Sequence, residues 1–289
     1  MKIGIIGAEN THTAHIAKVL NVDKSVEGFS VEFVWGETRE FAEKAAEFGQ
    51  IPNIVEDPSE MLGKIDALIV DHRDPKYHLE AALPFIKAGI PAFIDKPFCV
   101  SPEEGQAFLD VAKEKGTPVT SFSVLTHQKT FAEFKEKMAG AGEVLMGETW
   151  GMCDLNSPWS GIYFYGIHQV DMILHAFGFD IEKVLVKNNG TEHATGQLFY
   201  PNGTIVTMHL IKDWAPSFGI GVIGKKGVIH QVVKMDENPY TEGVRIFTDM
   251  FKTGELPKTD DEILVPVKVL EALQRSVQSG AFENVESGM

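Results

Sequence analysis

Lys96 is the residue of this sequence best placed to do chemistry. It closes an apolar run and stands between an acid and a proline, in Ala92-Phe93-Ile94-Asp95-Lys96-Pro97-Phe98. Phe93 and Ile94 suit the covered, pleated surface of a buried strand. Pro97 has no N–H for a sheet ladder and disfavours helix at the residue before it. The strand is therefore predicted to stop here and to present Lys96 at its carboxyl end, where open α/β sheets bind ligands. An ammonium in a dry pocket can steady a developing alkoxide. The second candidate is His168, near the start of a helical pattern that carries Asp171, Met172 and His175 on the same side. An imidazole, with an ordinary pKa of about 6.5, can take or give a proton at neutral pH. A third group is Asp71-His72-Arg73-Asp74-Pro75-Lys76-Tyr77-His78, which follows another apolar strand. Its carboxylates and imidazoles raise the question of a divalent metal, but the spacing matches no zinc pattern and no metal is expected.

These residues need elements to position them. Lys2-Ile3-Gly4-Ile5-Ile6-Gly7 reads as a buried strand ending at a glycine, and residues 13–20 carry apolar side chains at helical spacing. Strand, glycine turn and helix together open a dinucleotide site. The dinucleotide pattern wants glycines two and five positions after Gly7, and the chain has Glu9 and His12 there. The residues expected at the nucleotide turn are Gly7, Ala8, Glu9, Asn10, Thr11 and His12, with Asn10 or Thr11 capping the helix. After a second strand, 31–35, an acid would hold a ribose hydroxyl and an arginine a 2′-phosphate. Gly36, Glu37, Thr38 and Arg39 split that cue, and Arg39 also opens an amphipathic helix as a solvated charge. Asp71, His72, Asp95 and Lys96, at the ends of later strands, complete the expected cofactor-binding set.

Strand–helix alternation continues through strand 65–70, helix 79–87, the strand ending at Lys96, helix 102–115 behind a Ser101 cap, and strand 118–124. That order demands a parallel sheet with right-handed crossovers. Beyond it lie a helix over 131–138, a strand over 147–152, a loop rich in Gly and aromatics, and a helix over 167–177. Hairpin turns follow at Pro201-Asn202-Gly203 and Lys225-Lys226-Gly227 within a strand-rich stretch, 184–233, and helices over 241–251 and 265–279 close the chain. The expected fold class is α/β: an N-terminal Rossmann-type parallel sheet over 1–121, then a C-terminal α/β domain over 122–289 with a large, mostly antiparallel open sheet. The last helix is the one expected to return to the first domain.

Composition narrows the function. The chain has 289 residues, a 44% apolar fraction and a net charge of −15. The acidity argues against nucleic acid and against anionic membrane surfaces. Two cysteines, Cys99 and Cys153, make no disulfide framework, and no signal-peptide layout or bilayer-length apolar run is present, so a cytoplasmic protein is expected.

In this order the stretches resemble the glucose-fructose oxidoreductase, inositol dehydrogenase and rhizopine-catabolism family (Gfo/Idh/MocA), over essentially the whole chain. Ala88-Gly89-Ile90-Pro91 with Asp95-Lys96-Pro97 looks like its "aG..v..EKP" motif, with Asp for Glu. Gly166-Ile167-His168-Gln169-Val170-Asp171 is similar to its "GxHxxD", and Val222-Ile223-Gly224-Lys225-Lys226-Gly227-Val228-Ile229 to its "I.GtkG.l" hairpin. Leu270-Glu271 through Gly280 resembles its final helix.

The resemblance implies NAD or NADP as cofactor, a sugar, polyol or related hydroxy compound as substrate, and a homodimer or homotetramer formed through the open sheet. It also implies that Lys96 contacts the reacting hydroxyl and that His168 is the proton donor or acceptor. Three positions depart from the family: Phe164 stands where an aspartate four residues before the histidine is usual, Glu9 replaces a glycine, and His72-Arg73-Asp74-Pro75 replaces a proline-asparagine signature. Tyr163 or Tyr165 is then expected to orient His168 in place of the missing carboxylate. Two further classes stay open: a nucleotide- or sugar-binding protein that lost catalysis, and a lyase, epimerase or hydrolase using bound NAD or a metal.

Overall fold

The computed structural model describes residues 1–188, 190–213 and 217–285. Its contacts divide the chain into two compact units, Met1–Phe122 with Asn238–Ile263, and Ser123–Glu237 with the residues from Leu264 onward.

The first unit is built on β1 (Lys2–Ile6), β2 (Ser30–Trp35), β3 (Asn53–Ile54), β4 (Ala67–Val70), β5 (Ala92–Ile94) and β6 (Val119–Thr120). All pair parallel, in the order β3-β2-β1-β4-β5-β6. The connections run through α1 (Thr11–Ala17), α2 (Arg39–Gly49), α3 (His78–Lys87) and α4 (Pro102–Lys115). Every residue of β4 and β5 is buried, which explains their unbroken apolar sequences. Register matters most at the carboxyl edge. Val70 pairs with Ile6 on one side and with Ile94 on the other. The residues that follow, Gly7, Asp71 and Asp95, therefore leave the sheet side by side.

One difference from the sequence reading is the fate of residues 238–263, expected in a continuous second domain. Helix α7 (Thr241–Thr253) buries Val244, Phe247, Met250 and Phe251 with Ile3, Val31, Val34, Ile69 and Phe93 of the first unit. Phe247 stacks on Phe93 with ring centroids 4.6 Å apart. Each such side chain removed from water contributes about 1.5–3 kcal/mol. Strand β6 is also shorter than expected, because the Ser123 hydroxyl accepts from the Leu125 N–H and starts a 3₁₀ turn over Val124–His127.

The second unit holds α5 (Lys129–Met138), β7 (Val144–Met152), α6 (Tyr163–Phe177), β8 (Lys183–Asn188), β9 (Ala194–Phe199), β10 (Ile205–Ile211), β11 (Phe218–Gly224), β12 (Gly227–Val233) and β13 (Glu283–Asn284), and takes in most of α8 (Asp260–Ser279). Its sheet runs β12-β11-β7-β10-β9-β8-β13. Pairing is antiparallel throughout except between β7 and β10. Residues 189 and 214–216 of the strand-rich stretch, and 286–289, lie outside the described residues. One sheet face packs on α6, where Phe177 fills the space above Gly147. The opposite face carries half-buried Glu148 and Trp150. Among the described residues no helix is long and apolar enough to cross a membrane.

Candidate functional site

At the carboxyl edge of the parallel sheet the backbone makes a tight exit. Gly7 has φ +104°, and a Cβ there would lie 2.5 Å from the Asp71 carbonyl carbon and the His72 nitrogen. Only glycine fits this turn. The next two amides face one carboxylate oxygen: Ala8 and Glu9 N–H donate to Glu37 Oε2 at 2.9 and 2.8 Å. The other oxygen, Glu37 Oε1, is buried with no hydrogen-bond partner. Asn10 caps α1, its side chain accepting from the His12 N–H. Glu9, where backbone approach to phosphate was expected, instead points its carboxylate toward Arg73, 3.7 Å away. Thr11 opens α1 on an exposed position. Arg39 is exposed and pairs with Glu43 and Glu56 at 2.9 and 2.6 Å.

The strand tips next to Gly7 bring together five of the predicted residues. His12 Nδ1 lies 3.1 Å from Asp95 Oδ2 and 3.8 Å from Asp71 Oδ1. Lys96 is buried, with Nζ 3.3 Å from Asp95 Oδ2. The Asn10 amide donates to Asp71 Oδ1 at 2.8 Å and Asp95 Oδ2 at 3.1 Å. Burial and the charge of Asp95 push Asp71 well above the usual carboxylate range. Burial pushes Asp95 the same way, but Lys96 and His12 outweigh it and hold Asp95 well below that range. His12, Asp71 and Asp95 offer atoms within 4.8 Å of one another, as a divalent ion would need. The Asn10 amide addresses both carboxylates and the Lys96 ammonium addresses Asp95.

The two histidines of the following loop have other surroundings. The ring nitrogens of His78 face Pro97 O at 3.0 Å and His72 O at 2.9 Å, so this residue ties the β4 and β5 loops together. His72 is buried between Trp35 and Tyr77, with ring centroids 5.7 and 5.9 Å away. Burial and neighbouring His78 lower its pKa to about 4, so the ring is neutral, and its Nδ1 has no partner.

In the second unit, α6 starts at Tyr163, four residues earlier than the sequence reading, so Tyr163 and Tyr165 belong to the helix and not to a loop. His168 is buried on its second turn. The Ser123 hydroxyl lies 2.9 Å from His168 Nδ1, and the Ser123 N–H donates to Asp171 Oδ2 at 3.1 Å. Tyr165 places its ring centroid 5.8 Å from that of His168, and Phe218 meets the imidazole edge-on at 5.2 Å. Tyr163 is buried at the helix start. Phe164 packs on Trp159 and Tyr165. His175, expected on the same side as His168, sits about two turns beyond it and meets Phe179. Sequence reasoning missed Ser123 and undervalued Glu37. Glu37 had a signal, an acid just past the second strand, which Gly36 and Arg39 masked; Ser123 had none.

Residues 1–123 match the model of the GFO_IDH_MocA oxidoreductase family, described as an NAD-binding Rossmann fold. No curated protein matches by sequence. Among solved structures, myo-inositol 2-dehydrogenase from Lactobacillus plantarum superposes with a TM-score of 0.85 at 18% identity, covering 99% of each chain. The myo-inositol dehydrogenase of Lactobacillus casei, solved with NAD(H) and myo-inositol, gives 0.80 at 18% identity, covering 100% of this chain and 98% of its own. At such identities the likeness is one of fold, and it extends over both units. Residues 1–123 are thus similar to the Gfo/Idh/MocA oxidoreductases, whose model describes an NAD-binding Rossmann fold.

Proposed function

We propose that this chain is an NAD-dependent oxidoreductase that interconverts a secondary hydroxyl and a keto group on a sugar, polyol or related small molecule. The observation that carries NAD over NADP is Glu37. Its Oε2 is anchored by two backbone N–H groups while Oε1 is buried and unpartnered. That oxygen suits a ribose hydroxyl as donor, and its charge repels a 2′-phosphate. The bound cofactor supplies the hydride chemistry; the protein supplies position and a proton path.

His168 is the proposed acid/base, taking the proton of the substrate hydroxyl or returning it. The Ser123 hydroxyl can donate to an unprotonated Nδ1 or accept from a protonated one, so it holds the ring in either state. Lys96 is the proposed electrostatic partner of the alkoxide, its charge balanced by Asp95. The inositol dehydrogenases that share the fold make cyclic polyols the first substrates to try.

Calorimetry with NAD⁺ and NADP⁺ is the first test. NAD⁺ is expected to bind the tighter, and Glu37→Gln to weaken it about ten- to a hundredfold, as for loss of a charged hydrogen bond. On a substrate found by a polyol and sugar panel, His168→Ala should lower kcat by about 10²–10⁴. Binding of neither nucleotide would remove the redox assignment. Near-full turnover of the His168 variant would remove that residue from the mechanism.

A further inference from the structure

Two buried carboxylates at neighbouring strand tips raise a question of charge. Asp71 Oδ2 is 2.5 Å from Thr13 Oγ1, and the same hydroxyl oxygen is 2.6 Å from the carbonyl of Gly7. A hydroxyl has one proton, and the Gly7 carbonyl can only accept. If Thr13 donates to Gly7, the short contact to Asp71 needs a proton on the carboxylate. If it donates to Asp71, two bare acceptors face each other across 2.6 Å. The first arrangement satisfies every group. The charged and polar groups around the pair lie on several elements. Asp71 and Asp95 are met by the Lys96 ammonium, by His12 Nδ1, by the neutral Asn10 amide and, on the Asp95 side, by His78.

We infer that Asp71 and Asp95 share one proton, carried on Asp71 Oδ2, and that binding of the oxidised, cationic nicotinamide expels it to solvent, so that this edge of the sheet distinguishes oxidised from reduced cofactor by charge. The inference rests on the NAD reading above. Glu37 follows β2 and takes the adenosine half of the dinucleotide in that reading, so the nicotinamide half falls to the β4 and β5 side, where Asp71 and Asp95 emerge. A pyridinium brings a positive charge that the ionised pair would welcome, and the dihydropyridine of the reduced cofactor brings none. The step balances: Asp71 loses H⁺, which buffer takes up, and the new carboxylate charge faces the new cation.

The proton is tested in two ways. Without cofactor, thermal melts of wild type and Asp71→Asn are compared from pH 6 to pH 9. The amide mimics the protonated acid, so wild type should lose stability relative to the variant as pH rises; parallel curves would overturn the shared proton. With cofactor, calorimetry in buffers of different ionisation enthalpy counts protons. Wild type should release up to one proton on binding NAD⁺ and none on binding NADH, and its Kd for NAD⁺ should fall by up to tenfold per pH unit over the titrating range. In Asp71→Asn both the release and the pH slope should vanish. Nucleotide binding with no proton release would overturn this inference and leave the NAD assignment standing. Failure of both nucleotides to bind would remove that assignment and the discrimination with it, and the cofactor-free melts would still decide the shared proton. Should Asp71→Asn not fold, infrared difference spectra of wild type must show a protonated-carboxyl band lost on adding NAD⁺ and kept on adding NADH. Stabilisation by MgCl₂ or MnCl₂, reversed by EDTA, would mean that a metal balances the charge, and would overturn the proton.

Discussion

In the proposed mechanism Ser123, a neutral group, takes the positioning place of a carboxylate, with a different electrostatic result. An aspartate beside an imidazole favours the charged ring and raises its pKa. A hydroxyl accepts or donates as required and adds no charge. Ser123 Oγ lies 2.9 Å from His168 Nδ1 and also accepts from Leu125 N–H, so its position is fixed from two sides. Ser123→Ala is expected to lower kcat about tenfold with little change in KM, since the ring keeps its place on α6 and loses its orientation. Ser123→Asp should restore much of kcat and move the acid limb of the kcat–pH profile to higher pH. An unmoved limb in the aspartate variant would mean that Ser123 does not orient the proposed acid/base, His168. No pattern in the sequence singles out this serine. It follows a short strand in an irregular turn, and only tertiary contact brings it to a helix forty-five positions on. The place of Asp95 and Lys96 at a strand end was legible because an apolar run stops there at a charged pair and a proline.

At the scale of elements, local periodicity gave what local contacts determine. The apolar runs of β1, β4 and β5, the Ser101 cap of α4 and the glycine after it are all as their residues suggest. Two things were not legible. The parallel pairing of β7 with β10 joins strands more than fifty residues apart, and hairpin reasoning sees only neighbours. Residues 238–263 fold with the first unit because α7 presents aromatic side chains to Phe93, a complementarity that the sequence of α7 alone does not address. The loop between β4 and α3 has its own consequence for stability. His72 has its pKa lowered to about 4, burial being the main cause, whereas in the unfolded chain it titrates at about 6.5. Between those values the unfolded state binds more protons, so stability present above pH 6.5 is lost as pH falls through 4. The full shift corresponds to about 3 kcal/mol. Urea midpoints for wild type should therefore fall steeply from pH 6.5 to pH 4, and His72→Phe should flatten that segment. Equal pH dependence in both proteins would place the acid sensitivity elsewhere.

For the whole molecule, the open face of the second sheet is the feature with a consequence outside the chain. Register places Ile205, Met146, Ile223 and Val228 in one row across β10, β7, β11 and β12. Met146, Ile223 and Val228 remain 43%, 41% and 53% exposed, so three neighbouring strands offer apolar side chains to water. Such contiguous patches mark association sites more often than ordinary surface. The next rows show how the face is kept flat. Trp150 lies over Gly219, where a Cβ would come within 2.0 Å of the indole, and Glu148 lies over Gly221, between His209 and His230 at 3.5 and 3.3 Å. A flat sheet face with an apolar row suits a second copy of itself, related by a two-fold axis. The proposed homodimer or homotetramer through this sheet then makes a sharp prediction. Met146→Asp would place an unpaired carboxylate in the centre of the contact, at a cost of about 3–5 kcal/mol. That weakens association more than about a hundredfold. Position 146 is exposed in the single chain, so each subunit should keep its fold and its melting cooperativity. Light scattering at micromolar concentration should find wild type as an oligomer and the variant as a monomer with the same far-UV circular dichroism. A wild-type protein that is monomeric at every concentration, or an aspartate variant that assembles as tightly as wild type, would show that this row of side chains is not where two copies meet.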